Sequence, residues 1–245
     1  MLQIALINKA MNEYRSRGLR SFLKASARFV YYHTVREYLP GKYQEIRGTT
    51  IGGDSRKIRI FDTVFGVDVR WPQTHKKPNC DLIKEYVKEG NNVTLIGGGY
   101  GITAVTAANQ VGDSGRIVVY EGARSQIPPL QETIELNNVE EKVNIKHSIV
   151  GEAVDLTGQS DGAKMISPGG LLGDVIEMDC EGAEINIIKN LNEFPSRIIV
   201  ETHPKKGAPT VDVEEALRDN GYEIIERRED RNSGHVLVSN VVCDD

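Results

Sequence analysis

Val93-Thr-Leu-Ile-Gly-Gly-Gly-Tyr-Gly-Ile-Thr103 joins a short apolar run to an alanine-rich stretch, Ile102 to Gln110, through glycines at 97, 98, 99 and 101. The run has strand character and the stretch that follows has helical spacing, so the glycines fall in a tight strand-to-helix turn. Outward from there the chain keeps alternating. Strands are predicted at Arg116 to Tyr120, Val143 to Val150, Asp174 to Met178 and Arg197 to Glu201, with helices at Ile127 to Asn137, Ala183 to Leu191 and Val213 to Asn220. Strands each followed by a helix form right-handed βαβ units, and their sum is an α/β, doubly wound, mainly parallel sheet. Tyr222 to Glu226 and His235 to Val241 have no helix between them, so they are expected as an antiparallel pair at the sheet edge.

Ligands of such a sheet bind beyond the carboxyl ends of its strands, where glycine lets the backbone come close and a helix N-terminus offers unpaired amides. Gly97, Gly99 and Gly101 follow the first strand. The dinucleotide pattern GxGxxG would need a glycine at 102, which is Ile102, so a pyrophosphate such as that of NAD is disfavoured. Glu121 ends the second strand, where a carboxylate accepts hydrogen bonds from ribose hydroxyls. Loop and carboxylate together point to a nucleoside cofactor; a bare structural turn and a surface glutamate are the plainer alternative.

Composition sets the outer limits. With 245 residues and 39% hydrophobic content, the chain can form one large domain or a domain with an extension. Its apolar runs are too short for a spanning helix, and Met1 to Ile7 lacks the pattern of a cleaved leader, so a cytoplasmic protein is expected. Cys80, Cys180 and Cys243 fit neither a disulfide scaffold nor a zinc spacing. The net charge of −5 conceals a basic segment, residues 1–60 at +8, ahead of an acidic remainder at −13.

That segment contains an amphipathic helix, Leu19 to about Leu39, stopped by Pro40-Gly41. Two short strands, Glu45 to Ile51 and Lys57 to Phe65, are expected as a hairpin turning at Gly52-Gly-Asp-Ser, and a short helix follows from Cys80 to Lys88. The expected organisation is an extension of helix plus β-hairpin over residues 1–75 and a main domain over 76–245. Arg15, Arg17, Arg20, Lys24 and Arg28, interleaved with Phe29, Tyr31 and Tyr32, suit three kinds of partner. These are the acidic body or a second copy of the chain (a homo-oligomer through this helix), RNA, and an anionic membrane surface.

Five motifs in order carry a resemblance. Leu-Ile-Gly-Gly-Gly-Tyr-Gly (95–101), Tyr-Glu-Gly (120–122), Glu-Leu-Asn-Asn (135–138), Asp-Cys-Glu-Gly-Ala-Glu (179–184) and Val-Glu-Thr-His (200–203) resemble the S-adenosylmethionine-dependent methyltransferases, specifically the FkbM type. The likeness covers roughly residues 80–241. It implies a Rossmann-like class I methyltransferase fold and S-adenosylmethionine as cofactor. The family pattern Asp-x-Gly-Ala-Asn-x-Gly becomes Leu95-Ile-Gly-Gly-Gly-Tyr100-Gly here, so the carboxylate at 95 is absent.

By that resemblance Gly97, Gly99, Tyr100, Gly101, Glu121, Gly122 and Asp179 contact the cofactor. Asp179 and Glu181 serve the substrate or the methionine end, and His203 is the candidate base. Methyl transfer to oxygen is an in-line displacement, so holding donor and acceptor in line and taking the acceptor's proton are the enzyme's tasks. The implied acceptor is a hydroxyl on a sugar, glycan or natural product. The same carboxylates and His203 also suit a divalent metal, though a metal-free site is expected. Leu95 and the basic segment keep a second reading open, a non-catalytic or RNA-associated nucleotide-binding protein on the same scaffold.

Overall fold

A computed structural model describes residues 18–151, 162–230 and 234–242. Met1 to Ile7, Arg15, Arg17 and Cys243 lie outside them. The chain divides into two compact units. The smaller takes the described residues up to Gln44 together with Asp54–Trp71, and the larger takes Glu45–Gly53 and Pro72 onward. Where the sequence suggests a boundary at residue 75, the division thus falls at 71/72 and gives a nine-residue excursion to the larger unit.

In the smaller unit residues 18–30 form a helix, here α1, continued by a π-helical turn at Tyr31–Val35 and a 3₁₀ turn at Arg36–Tyr38. Strands β1 (Gly41–Lys42) and β4 (Ile58–Arg59) pair antiparallel. The expected hairpin is therefore corrected. Its first strand instead folds on itself, β2 (Gln44–Ile46) with β3 (Thr49–Ile51), around Arg47 and Gly48, which both have positive φ as a two-residue turn demands. Gly52 and Gly53 make no hairpin turn. Their amides donate to Thr133 Oγ1 (2.8 Å) and Glu132 Oε2 (2.6 Å), and a Cβ on Gly52 would come within 2.7 Å of Pro129 O. Gly52 is glycine because a helix backbone lies against it, and Gly53 because its φ is +91 and the Pro129 side chain leaves no room for a Cβ.

The larger unit is the doubly wound sheet. Its elements are α2 (Lys77–Tyr86), β5 (Asn92–Ile96), α3 (Ile102–Gln110), β6 (Arg116–Glu121), α4 (Ile127–Leu136), β7 (Val143–Val150), β8 (Lys164–Ile166), β9 (Val175–Met178), α5 (Glu184–Lys189), β10 (Arg197–Glu201), α6 (Thr210–Asp219), β11 (Tyr222–Glu229) and β12 (His235–Val241). The strand order is β11-β12-β10-β9-β5-β6-β7-β8, parallel from β10 to β8 and antiparallel among β10, β12 and β11. This is a Rossmann-like sheet with an antiparallel C-terminal pair. β8 is an addition that the three-residue run Lys164-Met-Ile was too short to announce.

Strand side chains alternate between faces, and the two cores follow that period. Val93 and Leu95, Ile117 and Val119, Val175 and Ile199 pack with α2, α3 and α4. Ile96, Tyr120, Ile176, Met178, Ile198 and Val200 pack with α5 and α6 on the other side. Strand order reverses between β5 and β9, which makes their carboxyl ends the switch point at which such sheets bind ligands.

Candidate active site at the strand-end switch point

On the β5 side the switch point is built from backbone. Gly97 N–H donates to Tyr120 O (2.9 Å), and Asp179 N–H donates to Ile96 O (2.9 Å), which stitches the three strand ends together. Gly97 sits at φ +94, and a Cβ there would lie 2.0 Å from Asp179 O, so any other residue would force β5 and β9 apart. Gly101, at φ +82, starts α3 by accepting from Val105 N–H (2.9 Å). Gly99 N–H donates to Glu121 Oε2 (2.8 Å) and Ala123 N–H to Glu121 Oε1 (2.7 Å). Glu121 is thus tied to the glycine loop from the neighbouring strand end. Burial raises its pKa and Asp179 adds to that, while the amides of Ala123, Gly99 and Gly98 work against it. The Tyr100 ring packs over Gly53, whose Cβ would lie 3.2 Å from Cε1, and the Gly122 carbonyl lies 3.3 Å from His147 Nε2.

The β9/β10 side is built from charged side chains. Glu177 and Glu201 point to the α2 face by strand alternation, and α2 meets them with Asn79, whose Nδ2 donates to Glu177 Oε1 (3.1 Å) and Glu201 Oε2 (3.2 Å). Lys76, one residue before α2 and in the left-handed region at φ +51, donates to Asp179 and to Glu201 Oε2 (2.6 Å). His203, two residues past β10, sits at the centre. Its Nδ1 is 2.6 Å from Glu184 Oε1, and its Nε2 is 3.4 Å from Asp179 Oδ1, 3.7 Å from Glu181 Oε2 and 3.9 Å from Glu201 Oε1. Glu181 occupies the left-handed region at φ +57 and takes an ion pair from Lys206 Nζ at 2.7 Å. Strained non-glycine residues such as Lys76 and Glu181 persist where surrounding structure holds them, as at functional sites.

Charge balance follows from this packing. Burial opposes ionisation of Asp179, but the Lys76 ammonium and the His203 imidazole outweigh it and hold the carboxyl below the ordinary range. Burial and the Asp179 charge push Glu177 up to about 8 and raise Glu201 as well, against the pull of Lys76. Burial disfavours a charged His203, yet Asp179 and Glu184 push its pKa up to about 10. At neutral pH Lys76 and His203 are therefore both cationic and, with Lys206, stand among the rim's carboxylates.

The structure brings Asp179, Glu181, Glu184 and His203 together at one rim, with Gly97, Gly99, Gly101 and Glu121 across the switch point. Glu184, which also reads as an ordinary first-turn helix residue, is fully buried against His203. Lys76, Asn79, Glu177 and Glu201 are additions. Glu177 alone among Val175-Ile-Glu-Met, and Glu201 ending β10 as Glu121 ends β6, were signals available in the sequence; Lys76 and Asn79 had none. Leu95, which stands where the FkbM-type pattern has an aspartate, is buried in the α2 and α3 core and pairs in register with Glu177. A carboxylate there would enter apolar packing. Asp179, Glu181 and His203 each offer one ligand atom within 4.8 Å of the others, a set a divalent cation would accept, although Lys76 and Lys206 already answer two of those groups.

No protein-family model matches the chain. Over 158 residues, 64% of its length, it is 28% identical to the ribosomal protein L11 methyltransferase of Desulfitobacterium hafniense. It spans 45% of that protein, less than half its length. Among solved structures it is similar to a SAM dependent methyltransferase from Aquifex aeolicus, at 14% identity over 69% of this chain and 93% of that one, with a TM-score of 0.49. An O-methyltransferase family protein from Burkholderia thailandensis matches at 13% over 70% and 57% (TM-score 0.49), and Aeropyrum pernix fibrillarin with bound S-adenosyl-L-methionine at 15% over 83% and 86% (TM-score 0.48). Among the described residues no helix is long and apolar enough to cross a membrane.

Proposed function

We propose that the chain is an S-adenosylmethionine-dependent methyltransferase of the FkbM type that methylates a hydroxyl of a sugar, glycan or natural-product acceptor. The observation that carries this reading is Glu121, held against the Gly99 amide at the switch point with Asp179 on the adjoining strand end. The donor set fits a sulfonium nucleoside. Glu121 uses one lone pair on each oxygen for backbone amides and keeps others for the two ribose hydroxyls, since a carboxylate has about four acceptor positions. Asp179 Oδ1 is buried without a hydrogen bond, an acceptor suited to the cofactor's amino group. The motif likeness supports this reading, and the curated relative supports methyl transfer as such.

S-Adenosylmethionine when bound supplies an activated methyl group. The chain's own tasks are then to align the acceptor oxygen and remove its proton. Asp179 and Glu181 orient the acceptor, and His203 receives the proton at Nε2. Because His203 is cationic up to about pH 10, turnover should climb with pH across the neutral to alkaline range as the free imidazole appears. A flat profile would leave His203 as a charge that pins Asp179 and Glu184, with no role as base. Loss of turnover in His203→Ala with unchanged cofactor affinity is the companion result.

Calorimetric titration with S-adenosylmethionine, S-adenosylhomocysteine and NAD tests the cofactor. Micromolar binding of the two sulfur nucleosides is expected, about −8 kcal/mol, with strong weakening in Glu121→Ala; unchanged affinity in that variant sinks the reading. Turnover is expected to survive dialysis against EDTA, since lysines already neutralise the carboxylates that would hold a metal.

A further inference from the structure

The smaller unit carries a surface that methyl transfer does not use. At about 100° per residue, α1 gathers Leu19, Phe22, Leu23, Phe29 and Val30 into one sector of about 120°, with Ser26 as its polar member, and sets Arg20, Lys24 and Arg28 on the other side. Most of the apolar sector faces outward: Leu19 is 59% exposed, Leu23 56%, Val30 52% and Phe29 42%. Arg20, Lys24 and Arg28 are exposed too. The helix is nonetheless anchored at its C-terminal end. Tyr31 is buried, stacks on Phe65 with centroids 4.4 Å apart and donates to Asp62 Oδ1 (2.9 Å), and Arg36 Nε donates to the same carboxylate (2.8 Å). The fold thus holds α1 through the turn that follows it and leaves Leu19, Leu23 and Val30 exposed along one face.

Charge selects the occupant. Residues 18–30 contain no Asp or Glu, so a second copy of this helix would cover the apolar sector but offer no anion to the three cations. RNA would answer the three cations but leave Leu19, Leu23 and Val30 in water. An anionic lipid surface answers both sides at once, taking apolar side chains at the acyl boundary and pairing Arg and Lys with headgroup phosphates. We infer that residues 18–30 are an interfacial helix that docks the protein on an anionic lipid bilayer.

Sedimentation of the full chain with vesicles tests this. Binding to phosphatidylglycerol-containing vesicles should be roughly 100-fold tighter than to phosphatidylcholine alone, as three basic side chains near a charged surface would give, and should weaken with salt. Leu19→Asp with Leu23→Asp should abolish vesicle binding while leaving S-adenosylhomocysteine affinity unchanged. Arg20→Gln, Lys24→Gln and Arg28→Gln together should erase only the preference for anionic lipid. Equal or absent binding to both vesicle types at low salt overturns the inference. So does an oligomer that Leu23→Asp disperses without any lipid binding, or retention on RNA without retention on vesicles.

Discussion

The two sides of the switch point are made of different materials. At β5 and β6 the chain presents glycines and amides around one carboxylate, Glu121, and the parts touch through hydrogen bonds of 2.7–2.9 Å between neighbours in the sheet. At β9 and β10 it presents charged side chains drawn from three separate segments: Lys76; Asp179, Glu181 and Glu184; and Glu201 with His203. The first side depends on what is missing, a Cβ. The second depends on a balance of charges. A backbone-built rim should therefore fail sterically and regardless of pH, whereas a charge-built rim should fail electrostatically and with pH.

Gly97→Ala tests that contrast most severely. A Cβ 2.0 Å from the Asp179 carbonyl, at φ +94, should cost about 4 kcal/mol or prevent folding altogether; chemical denaturation would read it, and a stable variant would mean the strand ends are not locked. Lys76→Met should come next. It strands Asp179 and Glu201 without their cation, and removing one partner of a buried pair costs about 3–5 kcal/mol. Adding Glu201→Gln to Lys76→Met should recover part of that loss, and a strictly additive double variant would show that the charges do not interact.

The pH dependence should have a definite sign. His203 goes from 6.5 in the unfolded chain to about 10, so its contribution is whole below pH 6.5 and drains away as pH rises toward 10. Glu177, raised from 4.5 to about 8, also favours the folded state in its protonated form and loses that advantage between those values. Asp179 works in the opposite direction, stabilising above 3.8 and losing its contribution on acidification. Thermal stability should therefore peak on the mildly acidic side and decline from pH 6 to 10. His203→Asn should flatten the alkaline part and Glu177→Gln the neutral part. Gly99→Ala should have the least effect. Nothing lies within 4 Å of its Cβ position, so only the left-handed backbone at φ +49 resists, about 1–2 kcal/mol.

Most of the larger unit's elements were legible because each rests on local pattern. The helix Ile102–Gln110 and the strands Val143–Val150, Arg197–Glu201 and His235–Val241 have the bounds that their periodicity suggests. The hairpin near residue 50 misled, since Gly52-Gly53 has the composition of a turn but is glycine to admit α4. Arg47-Gly48, which does turn, lacks the usual Asn or Asp. Leu95, where the FkbM-type pattern has an aspartate, packs in the core in register with Glu177, a placement that local pattern does not give.

The order of strands and helices, the glycine turn and the carboxylate ending β6 were determined by the sequence alone, because side-chain period and backbone freedom act over a few residues. Strand order, the face on which Glu177 and Glu201 fall and the reach of Lys76 to groups 103 and 125 residues away were decided only by the tertiary structure. Those contacts depend on register between distant strands, and a half-buried cation acquires its partners only when that register brings them within hydrogen-bonding distance.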